Sequence, residues 1–341
     1  MTRARTGSWR GRRVAVLGGA GFIGSNLALR LAGLGAAVTV IDGLVAGCGG
    51  HPANLQASNT QLPFLRANLA VDPVPASVLD AEVVFDLMGD PAHGRSVRDP
   101  RRDLTHNLLA QIALFEAIRR GPHRPLVVLA STRSVYGRPV TLPVAEDHPL
   151  APPDPNGIHK LAAEQYAIVY GRLYDLDIVR LRLTNVYGPR QGNADPAHGV
   201  SGFLLGRLLR GEPVQLFGGG IFRRDWLMVD DAVEALLAAG AAPTLAGQVI
   251  NVGHDAPASL REFVTVAVEL LGRGAVVDAP LPPEQQAIDV GDYWTDPRLA
   301  ERALGWRALI PLREGLSRTL DFYTRSPDGA RWPPESSLSL T

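Results

Sequence analysis

The feature that most restricts the possible folds of this chain is a run of three glycines spaced three residues apart. Gly18, Gly21 and Gly24 follow a short β-branched run, Arg13–Leu17, and precede a segment with leucines at helical spacing. The first glycine permits a tight turn, the second lets the backbone approach a phosphate, and the third lets the helix pack closely on the strand. A strand that turns directly into a helix in this way predicts an anion site at the helix N-terminus.

A carboxylate lies at the end of the next expected strand. Asp42 is 18 residues beyond Gly24 and closes the apolar run that begins at Val38. A carboxylate at this place accepts hydrogen bonds from the ribose 2′-hydroxyl of a dinucleotide and repels a 2′-phosphate, so the βαβ unit predicts NAD rather than NADP. Further cofactor contacts are expected from the glycine turn and from the ends of the third and fourth strands, at Phe22, Ile23, Asn68, Leu69 and Leu87.

Strands and helices alternate over the first half of the chain. Apolar runs over Leu126–Ala130 and Ile178–Leu183 are typical of buried strands, and amphipathic helices are expected over Pro100–Arg120 and Asn156–Tyr174. This alternation predicts an α/β fold with an open, doubly wound parallel (Rossmann) sheet, and the looser second half predicts a smaller mixed α/β lobe. The expected divisions are a mainly NAD-binding domain (1–184), a mainly substrate-binding lobe with some elements returning to the first domain (185–325), and a flexible tail (326–341).

Composition excludes several classes of protein. The 34 basic and 34 acidic residues cancel, so no global field draws the chain to nucleic acid or to an anionic membrane. No apolar run reaches the length of a membrane span, and the basic N-terminal stretch lacks the apolar core of a signal peptide. The single cysteine, Cys48, excludes an internal disulfide and a cysteine-based metal cluster. We therefore expect no metal, no nucleic-acid or membrane partner, and a cytoplasmic location.

One residue is exceptional against this composition. Of the 34 basic residues 33 are arginine, and the only lysine is Lys160, near the start of an expected helix. Arginine keeps its proton at any working pH, whereas lysine is a compact charge whose pKa can be tuned. This favours a role for Lys160 that requires an ammonium group over a chance surface position. Thr132, 28 residues earlier, follows the fifth strand and is expected in the same crevice.

Taken together, these segments resemble the extended short-chain dehydrogenase/reductase family and, within it, the NAD-dependent nucleotide-sugar epimerases and dehydratases. The resemblance runs from Arg13 to Leu320 and includes the Gly-Gly-x-Gly-Phe-Ile-Gly turn, a Val-Tyr-Gly after the fifth strand and an Arg-Asp-Trp-x-x-Val-Asp-Asp segment. It implies that Thr132 holds the reacting hydroxyl and that Lys160 binds the nicotinamide ribose. It further implies a cofactor contact at Asn107 and sugar-nucleotide contacts at Asn185, Arg190 and Arg224.

The first departure from the family pattern concerns proton transfer. The tyrosine of the Tyr-x-x-x-Lys motif is replaced by Asn156, whose amide has no proton to exchange with a sugar hydroxyl. Asn156 is one helical turn from Lys160, so we expect it to orient a substrate hydroxyl. His93, in the loop after the fourth strand, and His159, beside Lys160, are candidate proton acceptors because imidazole titrates near neutrality. An ordinary surface or loop histidine is the alternative interpretation of each.

The second departure concerns the substrate's diphosphate. Gln286 stands where the family usually has an arginine that clamps the diphosphate, so one guanidinium fork is missing. We expect Arg190, Arg223 or Arg224 to compensate, unless the nucleotide is held differently. Gln286 is kept as a candidate substrate contact.

The residues after Thr132 discriminate among the reactions of the family. Family 4,6-dehydratases have Asp-Glu there, and uronic acid decarboxylases have a glutamate two residues after the Ser or Thr, whereas this chain has Arg133 and Ser134. The resemblance therefore favours epimerisation of a nucleotide sugar, most simply at C4 through a transient keto sugar. Another NAD-dependent oxidoreductase or dehydratase, and a non-catalytic protein that binds NAD and a sugar nucleotide, remain open. The family resemblance also suggests a homodimer packed through the helices over Pro100–Arg120 and Asn156–Tyr174.

Overall fold

The fold is taken from a computed structural model, which describes residues 9–56, 61–282, 286, 289–326 and 329–334. The predicted tail beyond residue 334 therefore lies outside the described residues. The strands are β1 (Arg13–Leu17), β2 (Ala37–Asp42), β3 (Phe64–Arg66), β4 (Val83–Asp86), β5 (Leu126–Thr132), β6 (Ile178–Leu183), β7 (Asn185–Tyr187), β8 (Val214–Phe217), β9 (Arg223–Arg224), β10 (Trp226–Met228), β11 (Val249–Val252), β12 (Ala258–Ser259) and β13 (Val276–Ala279).

Helices cover both faces of the main sheet. Those of the described residues are α1 (Phe22–Gly33), α2 (Ala76–Leu79), α3 (His93–Arg98), α4 (Pro100–Leu104), α5 (Ala110–Arg120), α6 (Pro155–Tyr174), α7 (Val200–Leu209), α8 (Val229–Gly240), α9 (Leu260–Leu271), α10 (Arg298–Leu304) and α11 (Leu312–Arg325). Apolar residues of α1 and α8 pack on one face of the sheet, and those of α5 and α6 pack on the other. Strands buried on both faces have continuous apolar sequences, as in β4.

Seven strands form one sheet, in the order β11-β6-β5-β4-β1-β2-β3, and every neighbouring pair is parallel. The predicted doubly wound parallel sheet is thereby confirmed. The connection reverses direction between β1 and β4, and ligands bind outside the carboxyl ends of the strands at such a point. The edge strand β11 comes from the second half of the chain and pairs with β6. Three two-stranded ribbons, β7 with β10, β9 with β12 and β8 with β13, complete the described strands.

The helix predicted over residues 100–120 contains an irregular turn. Between α4 and α5 the backbone forms a π-helical turn, Thr105–Leu109, which adds a residue to one turn and shifts the phase of the helix. Leu108 and Ile112, which a regular pattern would bury, are consequently only partly buried, whereas the Asn107 side chain is fully buried. Single π turns are frequent at functional sites.

Part of the segment predicted as a flexible tail packs against the body of the protein. Trp332 is 8% exposed, and its indole N–H donates to Asn54 Oδ1 at 2.7 Å. Its backbone exchanges hydrogen bonds with Asn193. A buried aromatic ring with satisfied polar groups outweighs the Ser- and Pro-rich composition around it, because burial of a large ring is strongly favourable.

Candidate active site

The glycine turn has the geometry that its sequence predicts. Gly18 has a φ of +68°, and a Cβ there would lie 2.5 Å from the Leu87 carbonyl oxygen. A Cβ on Gly24 would collide with the Gly18 carbonyl oxygen. Helix α1 begins at Phe22 without any side-chain cap, so the N–H groups of its first turn remain available to an anion in the crevice.

The carboxylate of Asp42 closes the far side of this turn. Its Oδ2 accepts the Ala20 N–H at 3.0 Å and its Oδ1 accepts the Leu44 N–H at 2.8 Å. Burial raises the pKa of Asp42, against the lowering effect of the backbone N–H groups. Each carboxylate oxygen retains a lone pair for a ribose hydroxyl, which fits the adenosine half of NAD.

The residues predicted to contact the cofactor line one continuous crevice at the carboxyl ends of β1, β2 and β4. The crevice continues from the glycine turn past Met88 and Gly89 toward the end of β5. Its lining includes Gly18, Gly21, Phe22, Ile23, Gly24, Asp42, Asn68, Leu69, Leu87, Asn107 and Lys160.

The only lysine of the chain is partly buried and lines this crevice. Lys160 Nζ donates to the Met88 carbonyl oxygen at 3.0 Å. Burial lowers the pKa of Lys160, while the nearby carboxylates, Asp86 first among them, oppose this effect. Burial in turn raises the pKa of Asp86 to about 6, although the Lys160 charge and the Met88 N–H lower it. Asp86, at the end of β4, was not predicted, because an acid at a strand end has no distinguishing spacing in the sequence.

Asn107 joins the π turn to the loop after β4. Its side-chain amide accepts the Asp90 N–H and donates to the Asp90 carbonyl oxygen, at 3.2 and 3.0 Å. The Asn107 oxygen and the Lys160 amine both lie so close to Gly89 that a side chain at residue 89 would collide with them. The π turn therefore places the Asn107 amide close to the Lys160 ammonium group, at a narrow point of the crevice beside Gly89.

Thr132 is the last residue of β5 and lines the crevice beside Asn156 and Lys160. Its Oγ1 accepts the Ser134 N–H at 3.1 Å, which leaves the hydroxyl proton available to a substrate oxygen. The hydroxyl of the neighbouring Ser131 donates to the buried Glu164, so its proton is not available to a substrate oxygen.

Asn156 is held more firmly than its sequence position indicated. Its Nδ2 donates to the Asp90 carbonyl oxygen at 2.8 Å and to Asp103 Oδ2 at 3.0 Å. Both amide protons are thus used, and Oδ1 is left as the hydrogen-bonding atom that can accept from a ligand. Asn156 lines the crevice, so its expected role of orienting a hydroxyl becomes specifically that of an acceptor.

The two candidate histidines have different surroundings. His93 lines the crevice, its side chain is 42% exposed, and its Nδ1 lies 2.8 Å from Oδ2 of the buried Asp154. His159 pairs with Asp103 at 2.6 Å, is only 14% exposed, and does not line the described crevice. The geometry therefore separates two histidines that the sequence had left equivalent. Asp154, the partner of His93, was not predicted.

The expected anion-binding residues are only partly in the crevice. Asn185 lines it. Arg190 instead donates to the Asn54 carbonyl oxygen and to Asn26, so its predicted substrate contact is not supported by this geometry. Arg224 is engaged by the Gly291 and Arg223 carbonyl oxygens and lies outside the described lining. The third expected compensator, Arg223, donates to the Pro257 carbonyl oxygen, and Gln286 is exposed. These arginines were chosen by sequence neighbourhood, which does not show how far local carbonyl groups satisfy a guanidinium.

Other kinds of site find little support in the described part of the chain. There is no group of three or more His, Cys, Asp or Glu side chains arranged to hold a metal ion among those residues. None of the described helices has the length and apolarity needed to cross a membrane.

The fold and this crevice define a dinucleotide-binding protein of the dehydrogenase type, with a threonine and a lysine in the wall of the crevice. The model of the NAD dependent epimerase/dehydratase family matches residues 14–253, and the chain belongs to this family. The cofactor is accordingly NAD.

Similar proteins cover nearly the whole chain. A UDP-glucose 4-epimerase of Mycolicibacterium smegmatis is 36% identical over 321 residues, which are 91% of this chain and 98% of that protein. The UDP-glucose 4-epimerase of Thermotoga maritima, solved with UDP-glucose, superposes with a TM-score of 0.81 at 30% identity, over 92% of this chain and 98% of that one. The Thermus thermophilus UDP-glucose 4-epimerase, solved with NAD, gives 0.79 at 32% identity, over 92% and 100%. These likenesses make this chain an enzyme of the nucleotide-sugar epimerase/dehydratase group.

Proposed function

We propose that this protein interconverts the epimers of a nucleotide sugar at C4 through a transient keto sugar. Bound NAD supplies the carbon that takes a hydride from the sugar and returns it. The observation that carries the proposal is the crevice in which Thr132, Lys160 and His93 stand together. The absence of a carboxylate at residues 133 and 134, where elimination or decarboxylation would use one, favours epimerisation over those reactions.

In this proposal His93 is the proton acceptor that replaces the missing phenol. Asp154 has its pKa lowered, because the hydrogen bond and charge of His93 outweigh burial, which raises it. An ionised Asp154 holds the proton of His93 on Nδ1, so the lone pair of Nε2 points away from the carboxylate and is the basic atom. This is the arrangement of an oriented general base, in which a third group fixes the tautomer.

The other residues bind and orient the sugar. When the sugar is oxidised to its keto form, the proton of the reacting hydroxyl passes to His93 Nε2. When the keto sugar is reduced from its other face, the same nitrogen returns the proton and the epimer forms. Thr132 donates to the sugar oxygen, and Asn156 Oδ1 accepts from a hydroxyl. Lys160, fixed on the Met88 carbonyl oxygen, binds the nicotinamide ribose and keeps a positive charge beside the reacting oxygen.

The test is a substrate panel with matched histidine variants. Purified protein with NAD is incubated with UDP-, dTDP- and GDP-sugars, and the anomeric protons are followed by NMR. We expect a gluco sugar to convert to its galacto epimer. His93→Gln, whose amide has no basic nitrogen, should lower kcat by about 10²–10⁴-fold. His159→Gln is the control and should change kcat far less.

Two outcomes would replace the proposal. A 4-keto-6-deoxy product would identify a dehydratase. Tight NAD binding with no conversion of any sugar would identify a non-catalytic binding protein. If His159→Gln proves as damaging as His93→Gln, His93 is not the specific proton acceptor.

We also propose a cytoplasmic homodimer. The cytoplasmic location is supported by the single cysteine, which gives the chain no use for an oxidising compartment. The dimer is supported by exposed apolar side chains on one face of α6, where Tyr166, Val169 and Leu173 are 41, 46 and 66% exposed. Leu109, on the π turn of the neighbouring helix, is 45% exposed. An exposed apolar surface of this kind is typical of a protein–protein contact.

A further inference from the structure

Arg133 is an oriented guanidinium in the wall of the crevice. Its Nε donates to Asn185 Oδ1 at 3.3 Å, and its guanidinium carbon lies 4.9 Å from the centre of the Tyr293 ring. These contacts hold one edge and one face of the group. No carboxylate of the described residues forms an ion pair with it, so both Nη atoms remain to bind an anion.

The other residues expected at the diphosphate are already engaged or carry no charge. Arg190 and Arg224 are tied to backbone carbonyl oxygens, and the place of the usual clamping arginine holds the exposed Gln286. A diphosphate in the crevice needs a cationic fork, because a dianion loses much of its hydration on binding. Of these candidate residues, Arg133 is the one that both lines the crevice and has unused donors.

We propose that Arg133 binds the diphosphate of the sugar nucleotide, in place of the arginine that is missing at Gln286. This inference rests on the proposed function. The contact between Arg133 and Asn185 supports the diphosphate as the bound group, because Asn185 occupies the segment that resembles the diphosphate-contacting one of the family.

The local charge is consistent with a dianion. Burial lowers the pKa of Arg224 to about 10, and the nearby charge of Arg133 is the second cause of this lowering. Two neighbouring guanidinium charges favour a bound species with two negative charges. The carboxylate of a uronic acid could also bind the Arg133 guanidinium. In that case only ligands with such a carboxylate depend on Arg133, whereas a diphosphate contact affects every nucleoside diphosphate.

The experiment measures dissociation constants by calorimetry for UDP, dTDP, GDP, UDP-glucose and UDP-glucuronate, with NAD-loaded protein. Arg133→Met keeps an unbranched, largely apolar stem and removes the guanidinium group with its charge. We expect the Kd of the preferred nucleoside diphosphate to rise by about 10- to 100-fold, and the Kd values of UDP-glucose and UDP-glucuronate to rise by the same factor if UDP is preferred. Arg133→Lys should recover part of the affinity, because it restores the charge without the fork.

Arg138→Met is the matched control, since Arg138 is exposed on the same loop and does not line the described crevice. It should leave every Kd within about twofold, which lies below the effect of a charged hydrogen bond. Unchanged diphosphate affinity in Arg133→Met, or a loss confined to UDP-glucuronate, would overturn the assignment to the diphosphate. A wild-type protein that binds none of these nucleotides would instead overturn the proposed function. Retained NAD binding and an unchanged melting curve show that Arg133→Met is folded.

Discussion

The neighbours of Asn156, which the sequence resemblance aligns with a tyrosine of the family, suit an amide side chain. Two amide protons are held by the Asp90 carbonyl oxygen and by Asp103, whereas a phenol offers only one. Asp103 is 2% exposed, so losing its partner would leave a buried acceptor unsatisfied. Asn156 therefore belongs to a local hydrogen-bond network, and in the proposed function proton transfer falls to a residue on another element.

Asp86 gives a pH-dependent prediction at the same scale. Its pKa is raised from an ordinary 3.8 to about 6, so between these values the folded state holds a proton that the unfolded state has lost. The contribution of Asp86 to the free energy of unfolding therefore falls as pH rises through this window, by about 3 kcal/mol in total. Asp86→Asn removes this dependence.

The measurement is urea unfolding of both proteins at several pH values from about 4 to 7. The free energy of the wild type minus that of Asp86→Asn should decrease steadily across the range. A difference that stays constant would mean that Asp86 does not change its protonation in this window.

At the scale of elements, the start of α6 links the fold to the chemistry. Asp154 precedes Pro155, and its Oδ1 accepts the Gly157 N–H at 2.9 Å, as an N-cap does. The same carboxylate meets His93 through Oδ2. One side chain therefore both begins a helix and orients the proposed base.

Two substitutions separate these tasks. Asparagine caps helices about as well as aspartate, so Asp154→Asn should retain the stability of the protein while lowering kcat by about 10-fold or more, because the ionised partner of His93 is lost. Its pH profile of kcat should also change shape. Asp154→Ala should show the same loss of activity and a further loss of about 1 kcal/mol in stability.

Asp99 provides a control for the capping effect alone, since its side chain accepts the Arg102 N–H at the start of α4 and it contacts no histidine of the crevice. Asp99→Ala should cost stability, measured by urea unfolding, and leave the pH profile of kcat unchanged. The same change of profile in Asp99→Ala and Asp154→Ala, with none in Asp154→Asn, would show that loss of a helix cap, rather than orientation of His93, is responsible.

Local sequence signals predicted the strands and helices closely but did not predict which distant side chains contact each other. β6 was predicted with its observed bounds, because a strand buried on both faces is a continuous apolar run. The glycine turn and Asp42 were predictable because their spacing follows from phosphate and ribose geometry. The pairing of His93 with Asp154 spans 61 residues and has no local signal. The π turn was also missed, because an added residue in one turn leaves a helical composition unchanged.

At the scale of the whole molecule, the C-terminal residues support the cofactor site. The Trp332 indole donates to Asn54, and Asn54 Nδ2 donates to the carbonyl oxygen of Ala20, within the glycine turn. Residues almost 280 positions apart in sequence thus form one chain of hydrogen bonds behind the dinucleotide turn. The short 3-10 helix Gly329–Arg331 lies immediately before Trp332 in the chain.

The proposed dimer gives a prediction at this scale. Val169→Glu and Leu173→Glu place charges on the exposed apolar face of α6, where they would be buried by a second copy. We expect light scattering to give twice the chain mass for the wild type and the mass of one chain for the double variant. Val140→Glu, at a residue 77% exposed elsewhere, is the control and should remain dimeric. A wild type with the mass of one chain would contradict the proposal.

The strand order has a consequence for how the polypeptide is made. β6 pairs with β11, but residues 184–248 separate them in the chain. During synthesis the backbone groups along one side of β6 therefore remain unpaired until β11 has left the ribosome. An unpaired strand edge is a template for joining another chain. A fragment ending near residue 184 would carry that open edge permanently. Expression of the NAD-binding half alone should therefore give aggregates, and any dissection of this protein needs to retain the chain through residue 252.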